Sequence, residues 1–120
     1  WKLPPLSAAS WQQVSDLIET NDAHCRGVVL LGLDAPAEQL KAGFAIAATC
    51  PWVKGFAIGR TIFSAPSQAW LANDIDDKTL IKQIKSNYHA IIQSWQQRNQ
   101  PNQDGVVKAN GAVSVDGSAA

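Results

Sequence analysis

Apolar and polar residues follow one another along the chain in a pattern that predicts three strands separated by helices. Residues 27–33 and 53–59 are almost unbroken apolar runs, as expected for strands buried on both faces of a parallel sheet. A shorter segment, residues 1–3, ends at two prolines. The predicted strands begin about 25 residues apart, a spacing typical of βαβ units. We therefore predict an α/β fold in the order β–α–β–α–β–α.

The segments between and after these strands contain helical repeats of apolar residues. The first helix presents four of them on one face: Trp11, Val14, Leu17 and Ile18. The second is predicted over residues 36–49, with Asp34 as its cap and Pro36 in its first turn. After Arg60 we predict only a short segment, residues 67–71. A long helix follows over about residues 78–98, with Asp76 or Asp77 as its cap.

Three parallel strands alone leave two unpaired sheet edges, which proteins normally protect. Parallel sheets are usually covered on both faces or closed into barrels. We therefore expect residues 1–98 to be the C-terminal part of a larger α/β domain. Residues 99–120 are rich in Asn, Gly, Ser and Ala, and we predict a flexible tail there.

Composition limits the classes of function. The 120 residues carry no formal net charge and no basic run, which argues against nucleic acid or a membrane surface as the main partner. No stretch reaches the roughly 20 apolar residues of a membrane span. Cys25 and Cys50 have no neighbours at metal-ligand spacing, so we expect reduced thiols in a cytoplasmic protein and no metal site.

Candidate chemistry lies where the apolar runs end. Gly59-Arg60 follows one run, and this pair suits an anion because glycine permits close backbone approach and arginine offers a planar fork of donors. The alternative for Arg60 is a surface ion pair. Gly32 ends the other run, and both glycines also fit a role in close packing or turn geometry. Asp34 suits a helix cap better than its alternative, contact with a substrate hydroxyl or proton transfer.

Four segments together resemble one family: residues 1–3, residues 25–36, residues 53–63 and residues 69–71. The family is the aldolase-like domain at the C-terminal end of 5-dehydro-2-deoxygluconokinase, from bacterial inositol catabolism. That domain is similar to the class I tagatose 1,6-bisphosphate aldolases. The resemblance covers about residues 1–98. It implies that the chain is the C-terminal portion of a TIM (β/α)8 barrel, comprising about strands six to eight and their helices.

The resemblance also implies a chemistry and a set of residues. Lys2 matches the lysine that forms a Schiff base with a ketone, and Gly32, Gly59 and Arg60 match the phosphate site. The implied substrate is a phosphorylated keto-sugar acid, 5-dehydro-2-deoxygluconate 6-phosphate. Its products are dihydroxyacetone phosphate and malonate semialdehyde, and the reaction needs no cofactor. The implied partners within the parent chain are the earlier barrel strands and a sugar-kinase domain. Without the earlier strands we expect the fragment to be inactive. The protein can be a monomer or a homo-oligomer. The alternative function is a non-catalytic barrel that binds a sugar phosphate or scaffolds the kinase.

Overall fold

Three strands and four helices follow one another in the computed structural model, which describes residues 1–100. In chain order they are β1 (Lys2–Leu3), α1 (Ala8–Asn21), β2 (Val28–Leu31), α2 (Ala37–Ala47), β3 (Val53–Ala57), α3 (Arg60–Leu71) and α4 (Asp77–Gln96). The strands form one parallel sheet in the order β1-β2-β3. The three predicted strands and the helices between them are present, with α3 longer than the sequence predicted.

The prediction that the chain forms strands six to eight of a TIM (β/α)8 barrel is wrong. Within residues 1–100 the sheet pairs β1 with β2 and β2 with β3, so β1 and β3 are the edges of an open sheet. A barrel requires its strands to tilt and pair around a closed ring, and no portion of such a ring is present in this part of the chain. Apolar runs at βα spacing occur in open sheets and barrels alike, so this pattern cannot distinguish them.

The buried core lies on one face of the sheet. Val28 and Leu30 of β2 are fully buried on this face. Phe44 of α2, Phe56 of β3 and Trp95 of α4 pack together beside them, with ring centroids 5.3 to 5.6 Å apart and tilted or edge-on contacts. Such arrangements of aromatic rings are favourable beyond the area that they bury. The cluster therefore joins two helices to the sheet.

The opposite face of the sheet carries no part of this core. Successive side chains of a strand point to opposite faces, so Val29 and Leu31 point away from the buried residues of β2. Register partners in neighbouring parallel strands share a face, which adds Lys2 beside Val29 and Ala57 beside Leu31. Gly55, the partner of Val29 in β3, also lies here. We call these five residues the open face.

Helix α3 runs through a proline, which explains why the sequence predicted only residues 67–71. Pro66 lies inside the helix and is buried. Proline lacks the N–H that would bond the carbonyl four residues earlier, here that of Ile62. Asn87 of α4 donates its side-chain N–H to this carbonyl at 2.8 Å. A hydrogen bond from a neighbouring helix thus replaces the one that the proline removes.

Replacing Asn87 with alanine is expected to lower the free energy of unfolding by about 1–3 kcal/mol, because the partly buried Ile62 carbonyl loses its donor. In a Pro66→Ala background the new backbone N–H bonds that carbonyl, and the same Asn87→Ala change is expected to cost less than about 1 kcal/mol. Urea unfolding of the four variants measures both costs. Equal costs of Asn87→Ala in the two backgrounds would contradict this assignment.

Of the helix caps predicted from the sequence for α2 and α4, one is present. Asp76 caps α4 and accepts a hydrogen bond from the Thr79 N–H at 2.8 Å, so the prediction of Asp76 or Asp77 resolves to Asp76. Hydrogen bonds from Thr79 also hold the pKa of Asp76 below its ordinary value of 3.8. Helix α2, in contrast, begins after Pro36 with no side-chain cap. The prediction that Asp34 caps this helix is wrong, which frees its carboxylate for other contacts.

The remaining structural predictions concern the tail, the cysteines and membranes. Residues 101–120, most of the predicted tail over residues 99–120, lie outside the described residues. Cys25 and Cys50 are both free thiols. Across residues 1–100, no helix combines the length and apolar content needed to cross a bilayer.

Candidate anion-binding site

A pocket of about 270 Å³ lies at the carboxyl ends of β2 and β3. Residues 31–34 and 57–61, together with Phe63, line it. Carboxyl ends of neighbouring parallel strands are where open α/β sheets bind ligands. The pocket brings together four residues that the sequence singled out, Gly32, Asp34, Gly59 and Arg60, and leaves out the fifth, Lys2.

The first turn of α3 supplies donors to this pocket. Arg60 is the first residue of the helix, and its side chain is 62% exposed. Within the described part of the chain, the backbone N–H groups of Arg60 and Thr61 have no backbone acceptor, whereas those of Ile62 and Phe63 both bond the Gly59 carbonyl. Helix N-termini favour anions through such free N–H groups and the helix dipole. The guanidinium adds a full positive charge beside them.

The two glycines keep the pocket walls close together. A Cβ on Gly32 would lie 2.9 Å from Cγ1 of Ile58, and a Cβ on Gly59 would lie 3.0 Å from Cε1 of Phe63. Both distances are shorter than ordinary carbon contacts. The packing alternative that the sequence left open therefore applies to both positions. Their contribution to a ligand site is to allow close approach of backbone and side chains.

A strained turn shapes the other wall. Leu33 and Asp34 both have positive φ angles, 49° and 63°, and the Ala35 N–H donates to the Gly32 carbonyl at 2.9 Å. Two consecutive left-handed residues are costly when neither is glycine. The turn directs the Asp34 carboxylate toward Arg60, with Oδ2 3.9 Å from Nη1. At this length, and with both side chains more than half exposed, the ion pair is weak.

Thr61 belongs to this site, although no sequence pattern marked it as a site residue. Its hydroxyl donates to the Ala35 carbonyl at 2.9 Å, which fastens the start of α3 to the turn after β2. The available signal was its position, directly after Gly59-Arg60 and at the start of a helix. Because the helix itself was missed at this point, the hydroxyl had no assigned neighbour.

Lys2 lies on the open face, outside the pocket lining. It is exposed and pairs with Val29, two residues before Leu31 on the adjacent strand. With ~3.3 Å per residue along a strand and ~4.8 Å between strands, the Lys2 Cα lies about 8 Å from the Leu31 Cα. Leu31 and Ala57 both line the pocket and belong to the open face. A ligand that extends from the pocket along this face therefore approaches Lys2.

The described residues contain no group of three or more His, Cys, Asp and Glu side chains placed to hold a metal ion. The donors that the pocket does offer are backbone N–H groups, a guanidinium and the Thr61 hydroxyl. These groups suit phosphate or carboxylate oxygens.

Residues 1–99 match the family described as "Uncharacterized protein conserved in bacteria (DUF2090)". The chain belongs to the DUF2090 family. No curated protein and no solved structure gives a significant match to it. Membership in DUF2090 covers every residue of the pocket and Lys2, and it carries no substrate or reaction with it.

Proposed function

We propose that the full-length protein containing this DUF2090 chain is a class I aldolase that cleaves a phosphorylated keto-sugar acid through a Schiff base on Lys2. The observation that carries the proposal is the position of two groups on one side of the sheet. An anion pocket opens at the carboxyl edge, and an exposed lysine lies on the open face that runs from it.

The pocket is the anchor for the substrate's phosphate. The Arg60 guanidinium and the free N–H groups at the start of α3 are the donors, and they converge on one small cavity. Charge-assisted hydrogen bonds of this kind are about twice as strong as neutral ones. Holding the phosphate here fixes the substrate's orientation. Its carbon chain then extends over Leu31 and Ala57 toward Lys2.

Lys2 carries the chemistry in this proposal. Its amine adds to the ketone carbon, and loss of water gives a protonated imine. The imine accepts the electron pair of the breaking carbon–carbon bond, while the hydroxyl on the departing fragment loses its proton and becomes an aldehyde. Protonation and hydrolysis of the resulting enamine release a ketone phosphate and restore the free amine. Every electron stays within substrate and imine, so no redox cofactor enters the balance.

The identity of the substrate rests on the resemblance stated for residues 1–98. It points to 5-dehydro-2-deoxygluconate 6-phosphate, with dihydroxyacetone phosphate and malonate semialdehyde as products, in myo-inositol catabolism. The same resemblance proposes a sugar-kinase domain as the partner within the protein and the cytoplasm as its location.

One observation favours a second candidate, a non-catalytic module that binds a sugar phosphate. Lys2 is exposed and does not line the pocket. A binding module needs Arg60 and the start of α3 but tolerates any polar residue at position 2. The two candidates therefore differ in whether the chain turns its ligand over.

Substituting Arg60 tests the phosphate anchor of the proposed aldolase. In Arg60→Gln we expect kcat/KM for the phosphorylated substrate to fall about 10- to 100-fold, because hydrogen bonds to charged groups contribute about 1.5–3 kcal/mol. Release of dihydroxyacetone phosphate, coupled to NADH oxidation by glycerol 3-phosphate dehydrogenase, measures the rate. Arg26→Gln, on an exposed loop residue, is the matched control. If Arg60→Gln cleaves substrate as fast as the control, the anchor is misassigned.

A further inference from the structure

The Asp34 carboxylate is an unexpected group in a pocket built for an anion. It lines the pocket with Arg60, and its Oδ2 lies 3.9 Å from Nη1 of that residue. The two charges cancel, so the pocket attracts a free dianion less than the guanidinium alone would. A phosphate bound to Arg60 and the N–H groups of α3 would lie close to this carboxylate and be repelled by it.

The backbone that carries the Asp34 carboxylate is held on both sides. The Leu33-Asp34 turn is closed by the Ala35 N–H on the Gly32 carbonyl. The Thr61 hydroxyl holds the Ala35 carbonyl from the other wall at 2.9 Å. The Asp34 side chain therefore lies beside any anion held in the pocket, and a contact with another group of the ligand would offset the repulsion.

Asp34 also has unused hydrogen-bonding capacity. An ionised carboxylate accepts several hydrogen bonds and donates none. Among the described residues, no donor lies within hydrogen-bonding distance of the Asp34 side chain, and the Arg60 contact is longer than a hydrogen bond. The side chain is about half exposed and borders the cavity. A hydroxyl on the carbon chain of the ligand would donate a hydrogen bond to this carboxylate.

We propose that Asp34 is a specificity residue that selects phosphate monoesters with a hydroxyl on their carbon chain, such as the hydroxyl next to the ketone of the proposed substrate, over free phosphate and plain alkyl phosphates. This inference rests on the phosphate site of the proposed function. It adds a second group of the ligand, a hydroxyl, that the site recognises. Sites that hydrogen-bond a substrate hydroxyl discriminate against analogues without it.

Glycerol 3-phosphate and propyl phosphate are matched probes, because they have the same chain length and differ in their hydroxyls. We expect the protein to bind glycerol 3-phosphate at least about 10-fold more tightly than propyl phosphate by calorimetric titration. In Asp34→Asn we expect this preference to fall below about 3-fold, while propyl phosphate and inorganic phosphate bind more tightly than before. Asparagine tolerates the left-handed backbone at this position, so the turn is retained.

Asp74→Asn, at an exposed residue between α3 and α4, is the control and should leave the preference unchanged. Equal affinity of the unaltered protein for the two probes, or a preference that survives Asp34→Asn, would overturn the role of Asp34 and leave the phosphate site standing. Failure of the unaltered protein to bind any of the three phosphates would overturn the site and the selectivity together.

Discussion

Replacing Lys2 with arginine in the full-length protein is expected to abolish cleavage of the phosphorylated substrate, lowering kcat by at least about 1,000-fold. Arginine keeps the positive charge and nearly the same length, but its guanidinium stays protonated and forms no imine. Lys2 is exposed on the edge strand β1, so the change leaves the core intact. The same coupled assay of dihydroxyacetone phosphate release measures the loss.

The matched control is Lys41→Arg, which alters an exposed lysine on α2 and is expected to leave the rate unchanged. Binding of phosphate should survive in Lys2→Arg, because Arg60 and the start of α3 are untouched. A Lys2→Arg protein that still cleaves substrate would contradict the Schiff-base role. Cleavage in neither protein, with phosphate binding intact in both, would favour the binding module.

Replacing Phe44 with alanine is expected to lower the free energy of unfolding by about 3–5 kcal/mol. Phe44 is fully buried and contacts both Phe56 and Trp95, with ring centroids 5.4 and 5.3 Å away. Its removal takes away buried apolar area and leaves a cavity between α2, β3 and α4. A loss of this size is a large part of the total stability of a small domain.

Two further variants make the Phe44 prediction specific. Phe44→Leu keeps most of the volume and is expected to cost less than about half as much. Phe63→Ala, at a ring that is 44% exposed, is expected to cost less than about 1.5 kcal/mol. Urea unfolding followed by tryptophan fluorescence measures all three. Equal losses in Phe44→Ala and Phe63→Ala would contradict the assignment of the core to one face of the sheet.

The strands and three of the helices were predictable because their signals are local. An apolar run such as Val28–Leu31 marks a strand, and a proline before the next run marks the end of a helix. Helix α3 was not predictable over its full length, because Pro66 interrupts the helical pattern of its sequence. The bond that compensates for this proline comes from Asn87, 25 residues beyond the Ile62 carbonyl. Single-sequence patterns do not carry contacts of that kind.

A closed barrel was predicted in part because three strands alone leave two unpaired sheet edges. In the structure these two edges, β1 and β3, remain unpaired within residues 1–100. Closure depends on which strands pair across a sheet, and the apolar runs of β1, β2 and β3 look the same in either architecture. The resemblance supplied the closed barrel, and the pairing found within residues 1–100 is that of an open sheet.

Four members of the candidate site were predictable from the sequence, whereas Thr61 and the geometry of the site were not. Gly32 and Arg60 each follow a strand, and neighbouring parallel strands bring their carboxyl ends together. The left-handed turn at Leu33 and Asp34 has no sequence signal, since neither position holds the glycine that such a turn favours. Thr61 gains its role only through the Ala35 carbonyl on the other wall.

Borohydride reduction of the full-length protein in the presence of dihydroxyacetone phosphate, read by peptide mass spectrometry, tests the Schiff-base mechanism most directly. Borohydride converts an imine into a stable secondary amine, which marks the lysine that formed it. We predict one reduced adduct, on the peptide that contains Lys2, and none in Lys2→Arg. Saturating ligand with no adduct, or an adduct on a different lysine, would contradict the mechanism.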